Sequence, residues 1–576
     1  MIEATGAQII VKLLERQGIT SVAGIPGGAV LPLYEELYTS SIKHVLVRHE
    51  QGSGFIAQGI ARSTGKTAVC IATSGPGAMN LLTAIADARC DSIPMVAITG
   101  QVNTTLIGTD AFQEADTFGL SFPITKHSVM VTSAEELLEV IPAAFRIAAS
   151  GRPGPVLIDI PRDIQKQKIS FEVWPEPGKG EHHSVRFHTR AEDFGRILAE
   201  AAKMLVNSSR PVLYAGGGCN SPEAAAGIRM LLESFAMPIV TSLMGLGVIP
   251  FNDPLNMGMV GMHGSIASNR AMYESDLVLA VGVRFDDRAT GLIKKFCPGA
   301  KIIHIDIDAA EVNKILPALV SLIADAESSL PVLTRFVQDE LVASTSPVSK
   351  KLTVARSSWL SGLALLHTEK RTIPAEKQEE HPGFFIANIP TAAQKVGLDP
   401  ESIIITTDVG QHQMWAAQYY PLTHTRQFLT SGSLGTMGFG LPTAIGAALA
   451  NPEKRVVCIS GDGSILMNIQ ELATLAEEDL NVTIIVLDNG SLGMVRQQQE
   501  LLCNKQYSAS IFSRIPDLVR IAEGFGIPAI VAGETGWEEK AFGTKGPCFV
   551  LKRIPQDAKV FPFVPAGKAN VEAMTE

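Results

Sequence analysis

The chain contains 576 residues, too many for one hydrophobic core, so we expect several domains of roughly 100–200 residues each. Apolar residues make up 46%, charged residues 18%, and the formal net charge is −10; because no cluster of Lys and Arg marks a basic surface, we expect neither nucleic acid nor a membrane as partner. Seven scattered cysteines without a C-x-x-C pair, and a first helix without the apolar core of a signal peptide, predict a cytoplasmic protein with reduced thiols.

Short runs rich in Val and Ile alternate with longer helical patterns along the whole chain. In chain order they read "AVCIA", "MVAIT", "PVLID", "PVLYA", "LVLAVG", "KIIHIDID", "SIIITT", "VVCIS" and "TIIVLD". Continuous apolar strands between helices predict parallel sheets that are covered by helices on both faces. The predicted fold class is therefore α/β, with three doubly wound parallel-sheet domains.

Two polar stretches divide the chain. The segment 168–190 contains Pro and Gly, and the segment 342–382 loses the regular apolar runs, so both are predicted to be linkers. The predicted organisation is an N-terminal domain over residues 1–167, a central domain over 191–341 and a C-terminal domain over 383–576.

The first and last domains show a weak internal repeat. The segments that start at Val69 and Val457 each read as strand, Gly-x-Gly turn, helix and strand. Residues 75–77 read Gly-Pro-Gly where residues 461–463 read Gly-Asp-Gly. Every strand–helix–strand unit has this order, so a general βαβ pattern and two related domains both remain open.

One carboxylate in the second copy of this pattern has an unusual place. Asp462 stands between two glycines at the end of an apolar run, and Asn489 follows the next apolar run 27 positions later. Ligands of doubly wound sheets bind at such strand ends, and glycine lets a ligand approach the backbone closely. A carboxylate and an amide oxygen form a sparse ligand set that suits Mg²⁺, which completes its octahedron with phosphate oxygens and water. The pair predicts Mg²⁺ bound together with a diphosphate.

This motif resembles the metal–diphosphate motif of thiamine diphosphate enzymes. The resemblance assigns the metal to Asp462, Asn489 and the main-chain carbonyl of Ser491; it departs from the family at Asp488, where relatives have Asn. The segment "RHEQGSGF" resembles the family's activating segment, whose Glu, here Glu50, lies against N1′ of the aminopyrimidine. A carboxyl group in a mostly apolar site has a raised pKa and can share that proton near neutral pH.

Longer segments narrow the resemblance. They are similar to the large catalytic subunit of the acetohydroxyacid (acetolactate) synthase family and cover most of the chain: "GIPGGAVLPLYEEL", "TSGPGAMNLLTAIADA", "GTDAFQEAD", "GRPGPVLIDIPRD", "TTDVGQHQMWAAQYYP", "SGSLGTMGFGLPTAIGAALA" and "GMVRQQQ". The family implies decarboxylation of pyruvate and ligation of the hydroxyethyl carbanion to a second 2-oxoacid. The product is 2-acetolactate from pyruvate or 2-aceto-2-hydroxybutyrate from 2-oxobutyrate, the first common step of branched-chain amino-acid biosynthesis.

The family also implies partners and cofactors. The cofactors are thiamine diphosphate, Mg²⁺ and an FAD with a structural role, which places FAD in the central domain. The assembly is a homodimer or homotetramer whose active sites are shared between subunits, and a small regulatory subunit commonly binds.

Residue roles carry over position by position. At the reaction centre the resemblance places Glu50, Gly28, Phe112, Gln113, Arg162 and Gln498. For thiamine diphosphate it implies contacts from Gly410, Gln411, His412, Gly435, Met437, Gly461, Asp462, Gly463, Ser464, Asn489 and Met494. For FAD it implies Arg152, Gly216, Gly217, Gly218, Thr241, Leu243, Met244, His263, Gly264, Gly282, Arg284, Asp286, Arg288, Asp306 and Asp325.

The chain differs from the family pattern at two further positions, and three alternative functions remain to be weighed. Most relatives have Lys in place of Arg162, which keeps the charge but changes its shape. Many have Trp in place of Gln498, and that Trp favours 2-oxobutyrate, so we expect little such preference here. The alternatives within the superfamily are pyruvate oxidase, which would reduce FAD, and another 2-oxoacid decarboxylase or carboligase, such as glyoxylate carboligase, whose family lacks the activating Glu. A nicotinamide dehydrogenase is disfavoured because Ser221 interrupts the dinucleotide fingerprint.

Overall fold

The computed structural model describes residues 1–178, 191–343 and 347–575. Within these ranges three six-stranded parallel sheets follow one another along the chain, and each has buried apolar clusters on both faces. The predicted fold class, α/β with three doubly wound domains, is confirmed. Among the described residues, no helix combines the length and the apolar character that crossing a membrane requires.

The N-terminal domain begins with β1 and ends with β8. Its strands are β1 (Ile2–Thr5), β2 (Ser21–Gly24), β3 (Lys43–Leu46), β4 (Ala68–Ala72), β5 (Met95–Gln101), β6 (His127–Met130), β7 (Pro155–Pro161) and β8 (Lys168–Phe171). Its helices are α1 (Gly6–Arg16), α2 (Leu31–Thr39), α3 (Glu50–Thr64), α4 (Pro76–Asp91), α5 (Thr117–Ser121), α6 (Leu137–Ala149) and α7 (Arg162–Lys166). The sheet order is β3-β2-β4-β5-β7-β6.

Strand β4 shows why the apolar runs are unbroken. Val69 and Ile71 pack into the cluster on one face of the sheet, whereas Cys70 packs into the cluster on the other. Successive side chains of a strand point to opposite faces, so a strand that is covered on both faces needs an apolar residue at every position.

The first predicted linker starts inside the N-terminal domain. Strand β8 pairs antiparallel with β1, with Phe171 opposite Ile2. The domain therefore extends at least to Phe171, beyond the predicted end at residue 167. Residues 179–190 of that linker lie outside the described residues.

The central domain has the strand order of dinucleotide-binding sheets. Its strands are β9 (Pro211–Ala215), β10 (Ile239–Thr241), β11 (Asn256–Met259), β12 (Leu277–Val281), β13 (Lys301–Asp306) and β14 (Val320–Ile323). Its helices are α8 (Ala191–Val206), α9 (Pro222–Ser234), α10 (Ile266–Glu274), α11 (Asp287–Thr290) and α12 (Ala326–Ala343). The order β11-β10-β9-β12-β13-β14 is 3-2-1-4-5-6 in chain order, and such sheets bind ligands where the order reverses, here between β9 and β12.

The second predicted linker contains a long helix, α13 (Pro347–Arg371). Arg356 donates to the carbonyls of Val206 and Ser208, each at 3.0 Å, and Leu363 is buried against the central domain. Few residues of α13 are buried, so its sequence lacks the regular apolar spacing from which a helix is predicted. This part of the linker prediction is corrected: residues 347–371 are folded onto the central domain.

The C-terminal domain contains β15 (Ile403–Thr407), β16 (Phe428–Leu429), β17 (Arg455–Gly461), β18 (Val482–Asp488), β19 (Ala529–Val531) and β20 (Cys548–Arg553). Its helices are α14 (Pro382–Ala387), α15 (Ile389–Lys395), α16 (Gln411–Tyr419), α17 (Gly440–Ala450), α18 (Asp462–Ile465), α19 (Glu471–Glu478), α20 (Gly493–Leu502) and α21 (Leu518–Gly524). The sheet order is β16-β15-β17-β18-β20-β19.

The N-terminal and C-terminal sheets have the same topology. When the six sheet strands of each domain are numbered in chain order, both sheets read 2-1-3-4-6-5. Of the two interpretations of the internal repeat, this favours two related domains. The order reverses between β2 and β4 in the first sheet and between β15 and β17 in the second, so each domain offers one ligand-binding edge at equivalent positions.

Candidate active site

A cavity of about 970 Å³ lies between the central and C-terminal domains. It runs from the reversal point of the C-terminal sheet, at the ends of β15 and β17, to the reversal point of the central sheet, at the ends of β9 and β12. The end of helix α4 closes one side. Both edges at which doubly wound sheets bind ligands therefore open into one space.

The two oxygen ligands predicted from sequence meet at one wall of this cavity. Asp462 begins α18 directly after β17, and Asn489 follows the neighbouring parallel strand β18. The amide of Ser491 donates to Asp462 Oδ2 at 3.2 Å and to Asn489 Oδ1 at 3.1 Å. One carboxylate oxygen and one amide oxygen are thus fixed beside the same main-chain group.

Burial makes the negative charge of Asp462 unfavourable unless a cation lies beside it. Only 3% of the residue is exposed; burial, with the nearby negative charge of Asp488, raises the pKa of this carboxyl to about 7. No cluster of three or more His, Cys, Asp or Glu side chains able to hold a metal occurs in the described ranges. A hard cation at this wall would need further oxygens from its ligand, as Mg²⁺ takes from a diphosphate.

The start of α16 supplies groups that fit the diphosphate. Gln411 Oε1 accepts from Asn489 Nδ2 at 3.2 Å, which joins this helix to the Asp462–Asn489 pair. We call the region around Asp462, Asn489 and His412 the diphosphate corner. His412 is buried with Nε2 lacking a hydrogen-bond partner among the described residues, and burial lowers the pKa of its ring to about 3. A buried polar atom without a partner is unfavourable, and a phosphate oxygen would satisfy the neutral ring.

Glycine keeps this corner open. A Cβ on Gly461 would lie 2.9 Å from His412 Nδ1, which is closer than real side chains approach. The Ser464 hydroxyl accepts from the Gly461 amide at 3.2 Å and fixes the turn. The thiamine diphosphate residues predicted from sequence all line the cavity: Gly410, Gln411, His412, Gly435, Met437, Gly461, Asp462, Gly463, Ser464, Asn489 and Met494.

Residues 431–437 form a loop in the cavity wall, and an N-terminal helix holds this loop. Asp91, at the end of α4, accepts the amides of Gly432 and Ser433, each at 2.9 Å. Asp87, one turn earlier, accepts the hydroxyl of Thr436 at 3.0 Å. Arg62 lies beside both carboxylates, 2.9 Å from Asp91 and 3.2 Å from Asp87.

Sequence reasoning missed these three charged residues, although all are buried. The available signal was the acidic pair, four residues apart, in the mostly apolar α4. A buried charge needs a partner, so such a pair points to a buried cation and to donors from another element.

The other end of the cavity has the glycines of a dinucleotide site. A Cβ on Gly282 would lie 2.6 Å from the Cα of Gly218, so the turns after β12 and β9 touch backbone to backbone. Asp306 ends β13, and burial raises its pKa to about 7. Arg284 contacts the hydroxyl of Ser433, which links this end to the loop 431–437.

Most of the predicted FAD residues line this end. Those that do are Arg152, Gly217, Gly218, Leu243, Met244, His263, Gly282, Arg284, Asp286, Arg288, Asp306 and Asp325. Gly216 and Gly264 lie in adjoining loops and Thr241 ends β10; none of the three belongs to the cavity lining. The hydroxyl of Thr241 is buried without a hydrogen-bond partner in the described residues.

The predicted reaction-centre residues of the N-terminal domain lie elsewhere. Of that set, only Gln498 of the C-terminal domain lines the cavity, whereas Glu50, Gly28, Phe112, Gln113 and Arg162 do not. Glu50 and Asp462 therefore do not share a cleft within one chain.

Three of these N-terminal residues follow carboxyl ends of strands in their own sheet: Gly28 follows β2, Glu50 follows β3 and Arg162 follows β7. Glu50 Oε2 accepts from Asn80 Nδ2 at 2.9 Å, and a Cβ on Gly77 would lie 3.4 Å from Glu50 Oε1. The carbonyl of Gln113 is 2.8 Å from the position of a Cβ on Gly75. We call Gly28, Glu50, Phe112, Gln113 and Arg162 the N-terminal half-site; Gly28 and Phe112 are exposed and the other three are partly buried.

Three consecutive parts of the chain match family models of one enzyme class. Residues 4–120 match the N-terminal TPP binding domain of thiamine pyrophosphate enzymes, residues 198–333 their central domain, and residues 408–550 their C-terminal TPP binding domain. The fold and the diphosphate corner therefore belong to a thiamine diphosphate enzyme.

Full-length relatives narrow the class. The chain is 47% identical to the acetolactate synthase isozyme 1 large subunit of Escherichia coli, over 99% of this chain and 98% of the relative. It is 44% identical to the isozyme 2 large subunit, over 99% of both chains, and 43% identical to the acetolactate synthase large subunit of Corynebacterium glutamicum, over 98% of this chain and 89% of the relative. The chain belongs to the acetolactate synthase large subunit family.

Proposed function

We propose that this chain is the catalytic subunit of an acetolactate synthase, which joins the two-carbon unit of a decarboxylated pyruvate to a second 2-oxoacid. The observation that carries the proposal is the corner formed by buried Asp462, Asn489 and the unpartnered ring of His412 in a chain 47% identical to a named synthase. Asp462, the Asn489 amide oxygen and the Ser491 carbonyl would hold Mg²⁺. The glycine turns after β9 and β12 would hold FAD.

Each side chain has a limited task in this reaction. Bound thiamine diphosphate supplies the nucleophilic carbon and the electron sink. Glu50 would hold and return one proton at the aminopyrimidine, and Met437 of the loop 431–437 would contact the cofactor. The backbone near Gly28 and the side chain of Gln113 face the substrate carbonyl, where preorganised donors stabilise developing negative charge.

Completion of the site requires a second copy of the chain. The N-terminal half-site does not line the cavity of its own chain. Large apolar side chains are exposed on the N-terminal domain, with Phe112 88% and Phe122 71% exposed, and close after Asp462 in the C-terminal domain, where Met467 is 54% exposed. A symmetric dimer buries the same patches twice and would bring each half-site against the partner's diphosphate corner. The assembly is thus a homodimer or a dimer of dimers.

A smaller subunit is a further partner. The relatives are named large subunits, which implies a second, smaller chain in those enzymes. We propose that this chain also binds a small regulatory subunit.

The proposal is tested by colorimetric detection of acetoin from acid-treated reactions with pyruvate. Product is expected only when thiamine diphosphate and Mg²⁺ are both present, and no product under any cofactor combination would refute the function. Glu50→Gln should lower kcat by about 10²–10⁴-fold, because general acid–base catalysis contributes that much, while flavin content stays unchanged.

Pyruvate oxidase activity is the remaining alternative and has a distinct signature. An oxidase reduces its flavin, so anaerobic mixing with pyruvate would bleach the flavin absorbance within one turnover. A synthase is expected to form acetolactate at full rate while the absorbance stays constant.

A further inference from the structure

A buried carboxylate outside the diphosphate corner contacts the backbone next to Glu50. Glu471 belongs to α19 of the C-terminal domain and has 0% exposure. Its Oε1 accepts from the backbone amides of Arg48 and His49, each at 3.0 Å. Its Oε2 accepts from the Thr474 hydroxyl at 2.7 Å. The two residues that precede Glu50 are therefore held by another domain of the same chain.

The residues that follow Glu50 are held by the same segment. Asn468 Nδ2 donates to Gln51 Oε1 at 3.1 Å and to the carbonyl of Gly438 at 2.7 Å. Gly52 packs directly on the carboxylate, because a Cβ there would lie 2.9 Å from both Cδ and Oε1 of Glu471. Contacts to residues 468–471 thus flank Glu50 on both sides.

The chemistry of Glu471 fits a positioning task. A buried carboxylate that accepts amides at a helix start is stabilised by charge-assisted hydrogen bonds and by the helix dipole. It fixes the direction in which α3 leaves the strand end, and therefore the direction of the Glu50 side chain. The carboxylate of Glu50 itself points to α4, where its Oε2 accepts from Asn80 Nδ2 at 2.9 Å.

We propose that Glu471 is a positioning residue that sets the proton-transfer geometry of Glu50. The inference rests on the proposed function, in which Glu50 serves the cofactor bound by the partner subunit. Glu471 lies in the C-terminal domain, whose Asp462 would bind the diphosphate of one cofactor. Glu50 of the same chain would serve the other cofactor of the dimer. Each C-terminal domain would therefore control proton transfer at the site that does not contain its own Asp462.

Two substitutions test this with the full-length, flavin-loaded protein. Glu471→Ala removes the carboxylate that accepts the amides of Arg48 and His49. Gly52→Ala keeps this carboxylate but forces it to move, because the new Cβ would lie too close to it. Glu471→Gln is the matched control, since it keeps the side-chain size and one acceptor oxygen. The readouts are the exchange rate of the thiazolium C2 proton with deuterated water, followed by NMR, and the Kd for thiamine diphosphate with Mg²⁺.

Both alanine variants should exchange about 10–100-fold more slowly, because a misplacement near 1 Å can cost about 100-fold. The glutamine variant should stay within about threefold, and all three Kd values within about twofold, since Asp462 and Asn489 are untouched. Unchanged exchange in a folded Gly52→Ala protein, or a loss confined to the Kd, would overturn the inference. If Glu471→Ala fails to fold, Gly52→Ala alone decides.

Mixed dimers separate this inference from the proposed function. Two differently tagged chains are co-expressed and the heterodimer is isolated. In the control, one chain carries Glu50→Gln and the other carries Asp462→Asn. If each site uses Glu50 of one chain and Asp462 of the other, both substitutions fall in the same site. The second site stays intact, and about half of the wild-type activity should remain. No recovery in this control would refute the shared site and the inference together.

The test pairs Glu471→Ala with Asp462→Asn. On opposite chains, both defects should fall on the same site and leave about half of the activity, because one of the two symmetric sites stays intact. On the same chain beside a wild-type partner, each site should carry one defect and activity should be nearly lost. The reverse pattern, with the control recovered, would mean that Glu471 acts on its own domain's cofactor and would overturn the inference alone.

Discussion

At the scale of single residues, we propose that substrate choice depends on one position on the cavity wall. Gln498 lines the cavity together with Met494 and Asp462, and a polar amide there offers no apolar contact for the extra methylene of 2-oxobutyrate. Gln498→Trp should raise the preference for 2-oxobutyrate over pyruvate by roughly tenfold, within the range of one methylene in an apolar pocket. The measurement is the product ratio when both acids compete.

Gln498→Ala is the matched control, because it removes the amide without adding apolar surface and should leave the product ratio within about twofold of wild type. A wild-type enzyme that already makes mostly 2-aceto-2-hydroxybutyrate would contradict the assignment.

A second residue makes stability depend on pH. Asp159 in β7 is fully buried; burial raises its pKa to about 7, against hydrogen bonds from Thr99 and Gln101. Because the folded pKa exceeds the unfolded value, the stabilisation is complete below about pH 4 and is lost as the pH rises through about 7. The free energy of unfolding should fall by something on the order of 4 kcal/mol over that range.

Asp159→Asn removes this titration, so the Tm of the variant relative to wild type should be higher at pH 8 than at pH 5. The control is Asp163→Asn. Burial of that carboxyl is outweighed by hydrogen bonds from Thr104, and its pKa is lowered, so its Tm difference should not change between pH 5 and pH 8. The same Tm difference for Asp159→Asn at both pH values would contradict the account.

At the scale of secondary-structure elements, α4 controls the loop 431–437. Asp91→Asn keeps the side-chain size but leaves one amide of the loop without its charged acceptor. A hydrogen bond to a charged group contributes about 1.5–3 kcal/mol, so the Kd for thiamine diphosphate should rise by at least about tenfold. Isothermal titration calorimetry with Mg²⁺ present measures it.

The control is Asp193→Asn, which removes an exposed carboxylate paired with Arg196 on α8 and should change the Kd by less than about twofold, because exposed ion pairs contribute little. An unchanged Kd for Asp91→Asn would show that the loop holds its shape without the acceptor.

Elements also show where sequence reasoning succeeds and fails. The Asp462–Asn489 pair was predictable because carboxyl ends of adjacent parallel strands must meet at one edge. Glu471 was not, since its partners Arg48 and His49 are more than four hundred residues away and nothing local marks the contact. Helix α13 was missed because it buries few side chains.

At the scale of the whole molecule, the proposed function makes activity depend on the association of two chains. Phe122, 71% exposed directly after α5 of the N-terminal domain, is expected to lie against the partner. Phe122→Glu should shift the protein toward monomers in sedimentation and abolish turnover while flavin stays bound. A charged residue at the buried centre of an interface is strongly disfavoured.

The control is Val173→Glu, an equally exposed apolar position at 75% outside the half-site, which should leave both association and turnover unchanged. A fully active dimer carrying Phe122→Glu would contradict the proposed arrangement of subunits.

The matching strand orders of the outer domains have a consequence for how such an enzyme arose. Equal topology is what duplication of an ancestral domain leaves behind, and the copies have since diverged in chemistry. Pro76 occupies in the first copy the place that Asp462 occupies in the second, so the first copy has no carboxylate at the position where we propose that the second holds its cation. In the proposed function one copy supplies the proton carrier and the other the cation ligands, so neither domain suffices alone.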